Sequence, residues 1–166
     1  MSELLINHYS LKGDLYEDPV RSNLDYEFRT APGSRRTYSL REGNKTLAVL
    51  CMAVCSDVPI NMQELEDMSY FYPVFTGSGR TWPSVGVFYT VWSYEKGAGR
   101  EIVMRAAKHL LENNFLELMP TLRRLVTLSP PTEMARKFHL ANGAEVFREN
   151  EDSVNYEYSV TKCLLS

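Results

Sequence analysis

A strand that ends in a glycine turn and continues directly into a helix most constrains the fold of this chain. Residues 84–92 (SVGVFYTVW) form an apolar, β-branched and aromatic run of strand length. After the turn Lys96-Gly97-Ala98-Gly99, apolar side chains recur on one face of a helix: Ile102, Val103, Ala106, Ala107, Leu110 and Leu111. Backbone N–H groups at such a turn point toward an anion, and the helix dipole favours negative charge there. The sequence therefore predicts a phosphate-bearing ligand at residues 97–99.

Strands and a second helix flank this unit on both sides. Residues 36–41 and 45–55 enclose the turn Glu42-Gly43-Asn44, which predicts a hairpin. Residues 47–55 (LAVLCMAVC) are apolar throughout, which is typical of a central strand covered on both faces. Further along the chain, the pattern predicts a strand at 124–128, a helix from Thr132 to about Asn142, and an antiparallel pair at 144–148 and 153–160. This order predicts an α/β domain with a mixed sheet and helices on both faces.

Length and composition limit the class of protein. The 166 residues suit one domain, with a core at 36–160 and an N-terminal part at 1–35 in which neither the helix nor the strand period is sustained. Hydrophobic residues make up 44%, charged residues 23%, and the net charge is −3, so we expect no nucleic-acid partner. The sequence has no 18-residue apolar run and no signal-peptide pattern, so we expect a cytoplasmic protein without a membrane partner.

The three cysteines do not suggest a disulfide framework, since their number is odd. Cys51 and Cys55 lie in the apolar central run, where free cysteine is usually a small core residue. Histidines and cysteines do not recur at the spacing of metal ligands, so we expect no metal site.

The order of elements resembles the GNAT (N-acetyltransferase-like) fold. In that family a turn of the form Q/R-x-x-G-x-G/A after the fourth strand binds the pyrophosphate of coenzyme A. Here the turn is Tyr94-Glu95-Lys96-Gly97-Ala98-Gly99, in which both glycines match and the first position does not. The resemblance implies a mostly antiparallel sheet, with coenzyme A held by Lys96, Gly97, Ala98, Gly99 and Arg100.

Three short blocks show a narrower resemblance, to the catalytic domain of malonyl-CoA decarboxylase. They are residues 125–130 (LVTLSP), 138–144 (FHLANGA) and 155–158 (NYEY), and the strand and loop at 47–63 are similar as well. Only nine residues separate Ser129 from His139, where the family has a long helical insertion. The family's helical N-terminal domain is also absent, so we expect a minimal form of the catalytic domain. The resemblance implies an active site formed by Ser129, His139, Glu101 and Tyr158.

This family likeness implies conversion of a malonyl thioester, on coenzyme A or a carrier protein, to the acetyl thioester and CO2. Apart from the thioester itself, no cofactor is needed. Ser129 and His139 would hold the carboxylate or enolate and His139 would deliver a proton, since the pKa of histidine lies near neutrality. Glu101 would orient or charge-balance the imidazole, and Tyr158 would donate a hydrogen bond.

Each of these residues also has a purely structural interpretation. Ser129 before Pro130 fits a helix N-cap, Glu101 fits the first turn of a helix, and Tyr158 fits strand packing. His139 could be a half-buried histidine with satisfied hydrogen bonds.

Two other functions stay open. One is acyl transfer from an acyl-CoA to an amine, with a cationic acceptor received by the aromatic loop at 71–82 and by the acidic residues Glu64, Glu66 and Asp67. The other is a GNAT-fold module without catalysis that binds a partner or has a structural role. The sequence gives no oligomeric state.

Overall fold

Seven strands form one sheet in the order β1-β2-β3-β4-β5-β7-β6 in the computed structural model, which describes residues 2–31, 34–69, 84–113 and 122–165. The strands are β1 (Glu3–Ile6), β2 (Arg35–Glu42), β3 (Lys45–Cys55), β4 (Val85–Ser93), β5 (Arg124–Thr127), β6 (Glu145–Glu149) and β7 (Val154–Tyr158). The helices are α1 (Tyr26–Arg29), α2 (Met62–Met68), α3 (Ala98–Asn113), α4 (Glu133–Ala141) and α5 (Val160–Leu165), and two short 3₁₀ turns precede α1. Among these strands of the described residues, only β4 and β5 pair in parallel. The predicted mixed, mostly antiparallel sheet is confirmed.

The central strand β3 is covered on both faces, as its apolar sequence predicts. Ala48, Leu50, Met52 and Val54 belong to the core beneath α3 and α5, whereas Val49, Cys51, Ala53 and Cys55 belong to the opposite core. That second core also contains Leu65 of α2 and leucines from the N-terminal turns. Helical elements therefore lie on both faces of the sheet. The predicted β2–β3 hairpin is confirmed, with Gly43 at its turn in the left-handed region (φ 60°).

The C-terminal helix α5 was not predicted. The sequence extends the last strand to Val160, but β7 ends at Tyr158 and α5 begins at Val160. Cys163 of α5 is buried in the core beneath α3, so tertiary packing stabilises a short helix where the local pattern is ambiguous.

The site depends on a separation of β4 from β5. Their parallel pairing ends at Phe88 and Thr127. The pairing of β3 with β4 places Cys51 opposite Thr90 and Met52 opposite Phe88, so Tyr89 is an extra, bulged residue. Beyond the bulge β4 continues to Ser93, while the chain after β5 turns away and Ser129 pairs with Val154. The two strands diverge from this point.

Two sequence predictions concern the loop before β4 and membrane-spanning helices. The predicted loop at 71–83 and its aromatic cluster lie outside the described residues. In the described part of the chain, the helices are too short or too polar to cross a membrane.

Candidate active site

A cleft of about 700 Å³ opens where β4 and β5 diverge. One wall is β4 from Phe88 to Ser93, and the other comprises Ser129, Pro130 and α4. Pro19 and Val20 of the N-terminal segment also line it, and so does Gly99 at the beginning of α3. The predicted anion-binding turn and the predicted catalytic pair Ser129 and His139 therefore face one shared cavity.

Ser129, His139 and Tyr158 form a continuous hydrogen-bonded chain at this cleft. His139 Nε2 lies 3.2 Å from Ser129 Oγ, and His139 Nδ1 lies 2.7 Å from Tyr158 Oη. Ser129 Oγ in turn donates to Thr127 Oγ1 at 2.8 Å. The imidazole is only 6% exposed and stacks on the ring of Tyr156, with 5.0 Å between centroids. Both ring nitrogens therefore have a fixed hydroxyl partner.

The charge state and tautomer of His139 follow from these surroundings. Burial lowers the pKa of His139 to about 4, so the imidazole is neutral at pH 7. Because the Ser129 hydroxyl donates to Thr127, its oxygen accepts from His139, and the hydrogen-bond network assigns the imidazole proton to Nε2. Nδ1 then accepts from Tyr158, whose pKa burial raises, keeping the phenol protonated.

The local sequence explains how His139 reaches this position. Thr132, not Ser129, caps α4, and its hydroxyl accepts from Ala135 N at 3.2 Å. The helix ends at Ala141, and Gly143 follows in the left-handed region (φ 96°), which places His139 in the last turn of α4, facing β7. The interpretation of Ser129 as an N-cap is therefore wrong. Its hydroxyl bonds to Thr127 and His139 instead.

Glu101 does not join this group. Its carboxylate is exposed and accepts from Ser2 Oγ at 2.8 Å and from Arg105 Nη1 at 3.1 Å. Successive helical residues are rotated by about 100°, so Glu101 lies about 200° around α3 from the cleft-lining Gly99. The expectation that Glu101 orients His139 does not match the structure, since Ser129 and Tyr158 occupy both imidazole nitrogens.

The turn before α3 has the geometry of an anion cradle. Gly97 has φ 86°, a left-handed conformation that side chains rarely adopt. Ala98 N donates to Glu95 O and Glu101 N donates to Gly97 O, which leaves the amides of Gly99 and Arg100 without an acceptor among the described residues. A Cβ on Gly99 would lie 3.1 Å from Phe138 Cε1, so glycine also permits the close approach of α3 to α4.

The two cations predicted at this turn differ in their contacts. Lys96 is exposed, while Arg100 donates from Nη1 to Ala141 O at 2.9 Å and so ties the start of α3 to the end of α4. Tyr94, at the position where the GNAT motif has Gln or Arg, accepts a hydrogen bond from Trp92 Nε1 at 3.1 Å.

Sequence reasoning missed two residues of the site, Thr127 and Tyr156. Both are fully or almost fully buried, and they contact Ser129 and His139 respectively. Each lies two positions before a predicted site residue, and strand residues two apart share a face. That periodicity could have identified them.

We also searched for side chains that could together bind a metal ion. Within the described ranges, histidine, cysteine and acidic side chains do not assemble into a group of three or more that could hold a metal ion.

Comparison with solved structures identifies the fold. Malonyl-CoA decarboxylase from Cupriavidus metallidurans superposes with a TM-score of 0.64 at 16% identity, covering 99% of this chain and 63% of that one. Arabidopsis thaliana NAA60 in complex with acetyl-CoA gives 0.62 at 10% identity, covering 95% and 98%. Campylobacter jejuni N-acetyltransferase PseH gives 0.59 at 8% identity, covering 95% and 97%. The chain therefore has the GNAT-like fold that these proteins share.

The sequence comparisons assign no family to this chain. Searches of protein-family models and of curated proteins match nothing. The chain spans 63% of the length of the Cupriavidus decarboxylase and 57% of the one from Rhodopseudomonas palustris. At 16% and 15% identity, this similarity establishes a shared fold and nothing more specific.

Proposed function

We propose that this protein decarboxylates a malonyl thioester, on coenzyme A or on a carrier protein, to the acetyl thioester and CO2. One observation carries the proposal: a buried, neutral imidazole bonded between two hydroxyl groups faces a cleft that also reaches the anion cradle of α3. The thioester would lie along the cleft with its diphosphate at the amides of Gly99 and Arg100, near Lys96. Its acyl end would meet Ser129 and His139.

The chemistry requires hydrogen-bond donors and a proton rather than a strong base. Loss of CO2 breaks the bond between Cα and the carboxylate, and the electron pair passes to the thioester carbonyl to give an enolate. Donors aimed at that oxygen stabilise the developing charge. A neutral histidine supplies such a donor at Nε2, and the Ser129 hydroxyl supplies a second when it rotates from Thr127 to the substrate.

Protonation of Cα then completes the reaction. His139 gives its Nε2 proton to Cα while Nδ1 takes the proton of Tyr158, so the imidazole stays neutral throughout. After the product leaves, Nε2 takes a proton from water in the cleft and Nδ1 returns its proton to Tyr158, which restores the starting tautomer. The 2.7 Å separation between Nδ1 and the phenol oxygen supports this relay.

The lining of the cleft also supports decarboxylation. Phe88, Val91, Pro130 and Phe138 contribute apolar surface to the cleft. A carboxylate transferred from water to such a surface is destabilised, whereas CO2 is neutral and loses little. The environment therefore favours release of CO2.

Acyl transfer to an amine is the second candidate, because this chain covers nearly the whole length of the acetyltransferases it resembles. A base that accepts a proton from an ammonium group works best with a pKa near neutrality. Burial holds the pKa of His139 at about 4, which makes it a weak base for that step. A binding module without catalysis is the third candidate.

Product analysis distinguishes the three functions. The purified protein would be incubated with malonyl-CoA, and separately with acetyl-CoA and mixed amines, and the products followed by mass spectrometry. Acetyl-CoA formed without an acceptor supports decarboxylation, while acceptor-dependent release of free coenzyme A supports acyl transfer. Absence of any thermal shift with either ester would favour the binding module, and malonyl-loaded carrier protein extends the test to that substrate.

Replacement of the imidazole tests its role directly. We expect His139→Asn to reduce CO2 release by at least about 100-fold with coenzyme A affinity retained, because asparagine cannot relay a proton. His8→Asn is the matched control, since His8 is not part of the cleft lining. An unchanged rate of CO2 release in His139→Asn would reject the mechanism.

A further inference from the structure

An arginine from the N-terminal segment reaches the point where β4 and β5 separate. Arg21 Nη1 donates to Tyr89 O at 2.7 Å, and Arg21 Nη2 donates to Leu128 O at 3.3 Å. Tyr89 is the bulged residue of β4, and Leu128 directly precedes Ser129. Val20, the residue before Arg21, lines the cleft together with Tyr89 and Ser129. The guanidinium therefore lies behind the end of the cleft at which the acyl group would react.

The charge of Arg21 is not balanced by the acid beside it. Asp18 Oδ2 forms an ion pair with Arg29 Nη1 at 2.9 Å, and both side chains are 0% exposed. The other oxygen, Asp18 Oδ1, accepts from the amides of Val20 and Arg21 and from Thr90 Oγ1, at 2.8 to 3.0 Å. The single carboxylate of Asp18 is thus shared by two guanidinium groups, those of Arg29 and Arg21. In the part of the chain that the structure describes, no ion pair joins Arg21 to a second carboxylate.

The guanidinium of Arg21 is partly removed from water. Arg21 is only partly exposed, and burial lowers the pKa of its guanidinium, although the Asp18 carboxylate opposes that effect. A guanidinium removed from water is attracted more strongly to a carboxylate than an exposed one is. Its nitrogens Nη1 and Nη2 donate to the carbonyls of Tyr89, which lines the cleft, and of Leu128, which precedes Ser129.

We propose that Arg21 determines specificity for an acyl thioester that carries a free carboxylate, in preference to an uncharged acyl thioester. The inference rests on the proposed function, because it places the acyl end of the substrate at Ser129. Attraction to a carboxylate strengthens substrate binding and disappears once CO2 has left. Arg21 therefore raises the affinity for the substrate. The uncharged acetyl product is bound less tightly and is released.

Titration calorimetry with two variants tests the charge. Malonyl-CoA and acetyl-CoA would be titrated into protein carrying His139→Asn, which prevents turnover. We expect Arg21→Gln, which retains an N–H donor but no charge, to weaken malonyl-CoA binding by about tenfold and to leave acetyl-CoA binding unchanged. Arg21→Lys, which retains the charge, should keep most of the preference for malonyl-CoA.

Arg148→Gln is the matched control. Arg148 Nη2 also donates to a backbone carbonyl, that of Val58, at 3.0 Å, but Val58, unlike Tyr89, does not line the cleft. Its replacement should leave both affinities unchanged. If Arg21→Gln weakened both esters equally, or neither, the specificity role would be overturned.

A comparison that needs no change at Arg21 separates this inference from the proposed function. With Arg21 present, malonyl-CoA should bind at least about tenfold more tightly than acetyl-CoA. Equal affinities would overturn the role of Arg21 and leave coenzyme A binding intact. Failure of both esters to bind would overturn the proposed function as well.

Discussion

His139 shows how burial sets the chemistry of a single residue. An exposed histidine is partly protonated near neutral pH, but this imidazole is almost fully buried against Tyr156 and has no carboxylate bonded to either nitrogen. Burial penalises the charged form, and the hydroxyl partners do not offset that penalty. The result is a hydrogen-bond donor of constant charge over the physiological pH range.

The same burial makes stability depend on pH. The pKa of His139 is about 4 in the folded protein and near 6.5 when unfolded, so only the unfolded chain binds a proton between these values. Stability contributed by His139 is complete above about pH 6.5 and falls as pH decreases toward 4, by about 3 kcal/mol in all. Urea unfolding at several pH values would measure this loss.

A His139→Gln variant isolates the contribution from other titrating groups. Glutamine does not titrate, so the free energy of unfolding of this variant should fall less between pH 7 and pH 4.5 than that of the unmodified protein. Parallel curves for the two proteins would show that His139 has an ordinary pKa.

At the scale of elements, the packing of α3 on β4 holds the site in place. Gly86 of β4 lies beneath α3, and a Cβ there would lie 2.9 Å from Leu125 Cδ2 and 3.3 Å from Leu110 Cδ2. Both leucines are buried and cannot move into solvent. The absence of a side chain at Gly86 allows α3 to approach the sheet closely. Gly86 lies two residues before Phe88, where β4 begins to line the cleft.

We therefore expect Gly86→Ala to lower the free energy of unfolding by about 1–3 kcal/mol through overpacking. Gly13→Ala is a suitable control, because a Cβ at Gly13 would meet nothing within 4 Å and its backbone is in the right-handed helical region. Chemical denaturation of both variants measures the difference. Equal stabilities would show that the leucines reorganise without cost.

At the scale of the whole molecule, a buried ion pair ties the N-terminal segment to the sheet. Asp18 and Arg29 bond to each other at 0% exposure, and Arg29 Nη1 also contacts Cys51 Sγ of β3 at 3.3 Å. Through Thr90 the same carboxylate is linked to β4. The segment that supplies Pro19, Val20 and Arg21 to the cleft region is thus fixed by one carboxylate.

Removing that carboxylate should affect the molecule broadly. Asp18→Asn leaves the buried Arg29 without its counter-charge, and we expect the free energy of unfolding to fall by about 3–5 kcal/mol. Glu95→Gln, which removes the partner of Lys45 in an exposed ion pair, should cost less than about 1 kcal/mol. Thermal and urea unfolding would compare the two, and similar small losses would contradict a supporting role for the buried pair.

The sequence by itself determined the main core elements and their order. The apolar run of β3, the turn at Gly43, the helix after Gly97 and the cap at Gly143 are local patterns, and the structure confirms each of them. Local patterns suffice there because side-chain periodicity and backbone conformation depend on neighbours in the chain. The family resemblance also named Ser129, His139 and Tyr158, which the structure places in contact.

Only the tertiary structure decided which groups meet across the cleft. It directs Glu101 to solvent, adds Thr127 and Tyr156 to the site, and brings Arg21 to carbonyl groups 68 and 107 residues away along the chain. The contacts of Arg21 depend on the bulge at Tyr89 and on the divergence of β4 from β5. Such features arise from packing of the whole sheet, so no short stretch of sequence encodes them.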